Sequence, residues 1–302
     1  MILLWGVDDD GPLKAVAEAL AERRAPVFFL DQRQAASTEI DSTADERLEG
    51  AIRMGAARCD LAAVAAVYLR CHASSTFLDE GADGALVNRV CVLDEALCAF
   101  LDATPARVVN PFAAMASNSS KPYQLALIRA HGFAIPDTLV ATDPGAVRDF
   151  LLRHGEIVYK SVSSERSIVS RLTPAHLDRL DDIRWCPTQF QQYVAGRDHR
   201  VHVVGEKVFA CEIISEADDY RYAARGGSNV ELKACALPSR LAEQCRDLAA
   251  SLGLAVAGLD LRVTPDGDWH CFEVNPSPAF SYYESATGLP IAEAIADLLI
   301  GA

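Results

Sequence analysis

Apolar residues along this chain switch between two spacings, and the switches outline its elements. The opening run ILLWGV has strand length, PLKAVAEALAERR follows with Leu13, Val16, Ala17 and Leu20 at helical spacing, and PVFFLD is a second strand. This order predicts a βαβ start. AAVAAVYLR continues the pattern and ends at Arg70, and VCVLDEALCAFLDA reads as a helix at the edge of the unit. RVVNPFAAMASNSSKPYQLALIRAHGFAIPDTLV then reads as a linker and a new unit, with Ser119 or Ser120 capping a helix that ends near Gly132. A boundary near residue 112 follows.

EIVYKSV is a strand carrying one lysine, Lys160, and SSERS after it is a polar loop. TQFQQYV and RVHVVGEKVFACEII read as strands joined by the turn AGRDH at Gly196. Beyond the loop ADDYRYAARGGSN, LAEQCRDLAASLGL places Leu241, Cys245, Leu248 and Leu252 on one helical face. VAGLDLRVTPDGDWHCFEVN predicts a hairpin around Pro265-Asp266-Gly267. IAEAIADLLI carries a stripe of Ile291, Ile295, Leu298 and Leu299 that suits a core rather than a partner surface.

Composition narrows the class. Half of the 302 residues are apolar, so a folded protein is expected and disorder is not. The apolar run before Asp8, Asp9 and Asp10 is about six residues long, too short for a signal sequence or a membrane span. A cytoplasmic protein without membrane contact is expected. Nine cysteines form no CxxC pair and no zinc spacing, and read mostly as small buried hydrophobes. The net charge of −14 repels a phosphate backbone and argues against nucleic-acid binding. A phosphate ligand would need a few local cations and a metal.

Candidate chemistry gathers near the C-terminus, in CFEVNPSPAF. Strand side chains alternate, so Glu273 and Asn275 share a face, and oxygen donors presented that way suit a hard cation such as Mg²⁺. An edge strand with a solvated polar face would show the same letters. Asp260, thirteen residues earlier, ends VAGLD, and the hairpin could bring Asp260, Glu273 and Asn275 together as a half-shell open to phosphate oxygens. Lys160 in its apolar strand either snorkels or holds an anion. Lys121 at a helix start fits a solvated surface charge as readily as a phosphate ligand. Arg200, Arg221 and Arg225 could supply a positive cluster around a charged intermediate. Arg70 is offered as a contact for a substrate carboxylate.

The set of Lys121 with GFAIPDT, Lys160 in VYKS, QFQQYVAGRDHRVHVVGEKV, DYRYAARGG, GLDLRVTPDG and FEVNPSP resembles the ATP-grasp superfamily, in particular the RimK-type branch of amino-acid and peptide ligases. That branch includes maturases of ribosomally made peptides, the graspetide-type ligases. The resemblance runs from about residue 112 to the C-terminus. It implies an α/β chain with an N-terminal Rossmann-like preATP-grasp domain over 1–111, a central ATP-grasp subdomain over 112–188 and a C-terminal one over 189–302, with nucleotide between the last two. It further implies that Lys121 and Lys160 contact ATP phosphates and that Gln191, Gln192, Tyr193 and Val194 form the adenine-reading linker, with Asp198 near the ribose. Asp260, Glu273 and Asn275 would bind one or two Mg²⁺ ions, while Arg200 and Arg221 would steady the transferred phosphate and the acyl-phosphate. The implied activity is a ligase that activates a carboxylate as an acyl-phosphate and joins it to an amine or hydroxyl. The substrate would be an amino acid or peptide; a homo-oligomer is left open.

Two departures from the family pattern matter. Many relatives place a glycine-rich flap after the strand lysine, whereas SVSSERSIV has no glycine, so Ser163, Ser164, Arg166 and Ser167 would cover the phosphates with side chains. Relatives also carry Asn two residues after the Arg221 position, where this chain has Ala223. A reading of another class keeps the fold without turnover, as a nucleotide-binding regulatory protein. A dehydrogenase built on the βαβ start lacks GxGxxG.

Overall fold

The computed structural model describes residues 1–44, 48–162, 168–215 and 230–301. The expectations for Arg166, Arg221, Arg225 and the 163–167 phosphate cover lie outside the described residues.

The βαβ start is present as β1 (Ile2–Gly6), α1 (Gly11–Glu22) and β2 (Val27–Asp31). An unanticipated antiparallel meander follows, β3 (Thr38–Ala44), β4 (Leu48–Met54) and β5 (Ala57–Asp60). Its one-faced pattern is diluted by exposed charge, yet Ile40, Ile52 and Cys59 form one cross-strand row that turns inward. After β6 (Ala66–Leu69), α2 (Gly84–Ala103) crosses to β7 (Arg107–Val109). The order β2-β1-β6-β7 is parallel throughout.

The middle of the chain holds α3 (Phe112–Met115), α4 (Lys121–Ala130), β8 (Thr138–Ala141), α5 (Pro144–His154), β9 (Ile157–Ser161), β10 (Ser170–Arg171), α6 (Pro174–Leu177) and β11 (Thr188–Gln192). Ser120 takes the N-cap position of α4, but its hydroxyl makes no capping bond. The sheet β10-β9-β11-β8 packs Tyr159, Phe190 and Leu139 against Val147 and Phe150 of α5.

The third sheet has the order β14-β13-β12-β15-β16, built from β12 (Arg197–Val204), β13 (Lys207–Ser215), β14 (Val230–Cys235), β15 (Val256–Val263) and β16 (Trp269–Asn275). The expected hairpin is β15–β16, closed at Gly267, whose φ of 94° suits glycine. Helices α7 (Ser239–Ser251), α8 (Ser281–Thr287) and α9 (Ile291–Ile300) complete the chain. One face of the sheet buries Val201, Leu259, Leu261 and Val274 against Leu241, Cys245 and Leu248 of α7 and Leu125 and Ile128 of α4. Each fully buried aliphatic contributes about 1.5–3 kcal/mol. Thus α4 rests on this sheet although it precedes the middle strands in sequence. Ile291, Ile295 and Leu299 of α9 pack with α1 and the parallel sheet, which fixes the N-terminal unit to the third sheet at Val204 and Val256. No described helix is long and apolar enough to cross a membrane.

Candidate active site

Alternation along β12, β15 and β16 gives the third sheet two unlike faces. Directly opposite residues share a face, so the pairings Arg200↔Asp260 and Asp260↔Glu273 form one row. His202↔Gly258 and Gly258↔Asn275 form the next row on the same side. The intervening residues enter the core. The expected convergence of Asp260, Glu273 and Asn275 is therefore present, with Arg200 added to it.

Arg200 is only 5 % exposed, and its Nη1 donates to Asp260 Oδ1 at 2.6 Å. Its Nε faces His202 Nε2 at 3.4 Å, with the Tyr283 ring 5.6 Å from the guanidinium carbon. Glycine at 258 makes room for this course: a Cβ there would stand 2.2 Å from Arg200 Nη2 and 2.7 Å from Pro278 Cβ. Burial, and then the Arg200 charge, push the His202 imidazole well below its ordinary pKa and keep it neutral. A neutral ring can accept the Arg200 Nε–H.

Three polar groups brace β16 and the segment after it. Gln124 meets the backbone of Val274 with both ends of its carboxamide. Asn110, 3 % exposed, donates to Val256 O and Pro276 O at 2.6 Å each and accepts from the N–H of Ala255 and Val256. Arg70 clasps Asp10 through Nε at 2.7 Å and Nη2 at 2.9 Å, while its Nη1 donates to Ser277 Oγ and Pro278 O. This corrects the assignment of Arg70 to a substrate carboxylate: its donors face protein acceptors because the end of β6 abuts the 277–278 segment. Asp10 also accepts the Leu13 N–H and caps α1.

Lys121 is 6 % exposed, so the solvated-surface alternative does not hold for it. Lys160 is equally buried on β9, directly opposite Gln189 on β11. Gln191 donates to Thr138 Oγ1 at 3.0 Å. Arg262, which the sequence reading passed over, holds both Asp198 oxygens at 2.6 and 2.8 Å and donates to Val194 O at 2.8 Å. It joins the third sheet to the 191–194 segment. Arg171 lies 3.9 Å from the centre of the Tyr193 ring. The signal for Arg262 was available, since it stands two residues beyond Asp260 on the same strand. A cleft of 590 Å³ between α4 and the start of β8, lined in part by Arg129, Ile135 and Arg153, includes none of the carboxylates above.

The donor set fits a hard cation and a polyphosphate. Glu273 is half-buried, and no described residue makes a hydrogen bond or ion pair with its carboxylate. Asp260 meets Arg200 Nη1 through Oδ1, while Asn275 Oδ1 accepts the Ser277 N–H at 2.9 Å. Among the described residues no three His, Cys, Asp or Glu side chains gather for a metal, so the protein offers a partial oxygen shell. Beside Lys160, the wholly buried Gln189 carboxamide has no hydrogen-bond partner at either end among the described residues. A buried polar pair of that kind marks a place where a polar ligand would be accommodated.

A family profile described as the RimK-like ATP-grasp domain matches residues 118–299. A "Probable alpha-L-glutamate ligase" from Rhodopirellula baltica is 27 % identical over 202 residues, 63 % of this chain and 49 % of that protein. The human "Beta-citrylglutamate synthase B" is 35 % identical over 118 residues, 37 % of this chain and 29 % of that one. The chain thus spans about half, or less, of the length of these curated relatives. Among solved structures, the macrocyclase MdnC bound with precursor peptide MdnA, from Microcystis aeruginosa MRC, aligns with a TM-score of 0.86 at 25 % identity, covering 100 % of this chain and 99 % of that one. The ATP-grasp ligase PsnB complexed with minimal precursor aligns at 0.83 and 26 % identity, covering 99 % and 98 %; another PsnB structure also contains Mg and ADP.

Proposed function

Since the chain belongs to the RimK-like ATP-grasp family, we propose that it is an ATP- and Mg²⁺-dependent ligase acting on a peptide in the cytoplasm. The observation that carries the reading is the row Arg200–Asp260–Glu273, with Asn275 beside it, on the face opposite the core. The precursor peptides in the MdnC and PsnB structures support a peptide as the substrate class.

In the proposed reaction the γ-phosphoryl group of ATP passes to a substrate carboxylate, giving ADP and an acyl-phosphate. An amine or hydroxyl then attacks the carbonyl carbon, phosphate leaves, and an amide or ester forms with loss of one proton. Such chemistry needs charge stabilisation more than a protein nucleophile. Lys121 and Lys160 hold phosphate oxygens, and Arg200, already oriented by Asp260 and His202, steadies the charge on the transferred group. Asp260, Glu273 and Asn275 hold one or two Mg²⁺ ions, which neutralise phosphate charge when bound. Arg221 and Arg225 complete the cationic set in this reading.

The test is calorimetric titration of ATP with Mg²⁺ into wild type and Glu273→Ala, followed by phosphate release over a panel of amino acids and peptides. Metal-dependent binding lost in the variant, with release triggered by a peptide, is expected. Equal binding in both proteins would remove the metal assignment, and binding without release over the whole panel would favour a regulatory protein.

A further inference from the structure

Strand β16 is the last of its sheet, so its outer backbone groups need partners from elsewhere. Ala134 O accepts the Cys271 N–H at 2.9 Å. Three residues further along, the partner is a side chain. Gln124 Nε2 donates to Val274 O at 2.7 Å, and Gln124 Oε1 accepts from Val274 N at 3.0 Å. The carboxamide stands where a neighbouring strand would be, and at 2 % exposure it has little access to water.

The residue it grips lies between Glu273 and Asn275. The helix it comes from begins with Lys121, one turn away and itself buried. An apolar side chain of equal size would fill the space between α4 and β16 but leave their relative height unset, because apolar contact has no direction. Two opposed hydrogen bonds to a single residue set that height.

We propose that Gln124 is a positioning residue for the ligation: it fixes the strand that carries Glu273 and Asn275 against the helix that carries Lys121, so that metal and phosphate meet one geometry. The inference rests on the metal reading of Glu273 given above. Outer groups that orient metal-binding side chains change metal affinity when removed, which gives a measurement independent of turnover.

The experiment titrates Mn²⁺ into the ADP-bound protein, read by electron paramagnetic resonance, for wild type, Gln124→Met, Gln124→Glu and Glu273→Gln. Hydrogen exchange of the 271–275 segment and ADP affinity without metal are measured alongside. Gln124→Met should weaken Mn²⁺ binding about 10-fold and speed exchange at Val274, with ADP affinity alone little changed. Gln124→Glu keeps the acceptor but sets an oxygen against Val274 O in place of the donor, so its Mn²⁺ binding should weaken at least as much as that of Gln124→Met; either variant that folds is sufficient for the comparison. Weakened binding in Glu273→Gln with wild-type binding in both Gln124 variants would overturn the proposal and leave the metal reading standing. Unchanged binding in Glu273→Gln would overturn both.

Discussion

Arg200 and Asp260 face each other across β12 and β15, 2.6 Å apart from Nη1 to Oδ1, and the guanidinium lies in space that exists because residue 258 has no Cβ. Gly258→Ala should therefore displace Arg200 while leaving the strand in register, since the pairing of residue 258 with His202 and Asn275 uses backbone alone. Misplacement of a charge-stabilising group by about 1 Å lowers the rate on the order of 10²-fold. Phosphate release with a responsive peptide should fall by that amount in Gly258→Ala. A rate within a few-fold of wild type would show that the Arg200 position is unimportant to turnover.

Asn110→Ala tests the joint between the N-terminal unit and the third sheet. The substitution leaves two carbonyls and two N–H groups that Asn110 now satisfies, three of the four bonds being buried or nearly so. The expected loss is about 3 kcal/mol, or roughly 6 °C in thermal midpoint. Calorimetry reads it, and an unchanged midpoint would mean that water replaces the carboxamide.

Arg70→Met should leave the Asp10 carboxylate, 14 % exposed in its side chain, buried without its cation. Breaking such a pair from one side costs about 3 kcal/mol. Asp10→Asn retains an acceptor for the Leu13 N–H, so the double variant should recover part of the loss. A double variant no more stable than Arg70→Met alone would show that the clasp to Ser277 and Pro278, rather than the ion pair, carries the energy.

His202 gives a pH signature. Its folded pKa is depressed by burial and by Arg200, whereas the unfolded chain titrates near about 6.5. Below that pH the unfolded state takes up a proton that the folded state refuses, so this contribution is full above about pH 6.5 and declines by up to about 1.4 kcal/mol per pH unit as the pH falls toward the folded pKa. His199, depressed by burial in the same direction, adds to the slope. Urea denaturation at pH 7.5 and 5.5 should show a smaller difference for His202→Gln than for wild type. Equal differences would mean that His202 titrates alike in both states.

Much of the candidate site was legible because spacing along a strand is itself geometry. Glu273 and Asn275 are two apart and share a face; the Pro-Asp-Gly turn sets β16 beside β15 and brings Asp260 opposite Glu273. Arg262 follows the same rule, two residues beyond Asp260, but its partners Asp198 and Val194 lie 64 and 68 positions away, so its role shows only in the fold. The β3–β5 meander was missed because surface charges hide its alternation.

Outside the β3–β5 meander, the sequence by itself determined most of the strands and helices that build the site, their apolar faces, and which oxygen donors stand together on the β15–β16 hairpin. All of that depends on neighbours a few residues away. The tertiary structure decided what holds those donors in place: Gln124 meets Val274 across 150 positions, Asn110 meets Val256 across 146, and Arg70 meets Ser277 across 207. It also turned Lys121 inward and gave Arg70 to Asp10 instead of a ligand. A carboxamide or guanidinium finds its partner only once distant backbone arrives within about 3 Å, and no local pattern of residues encodes that arrival.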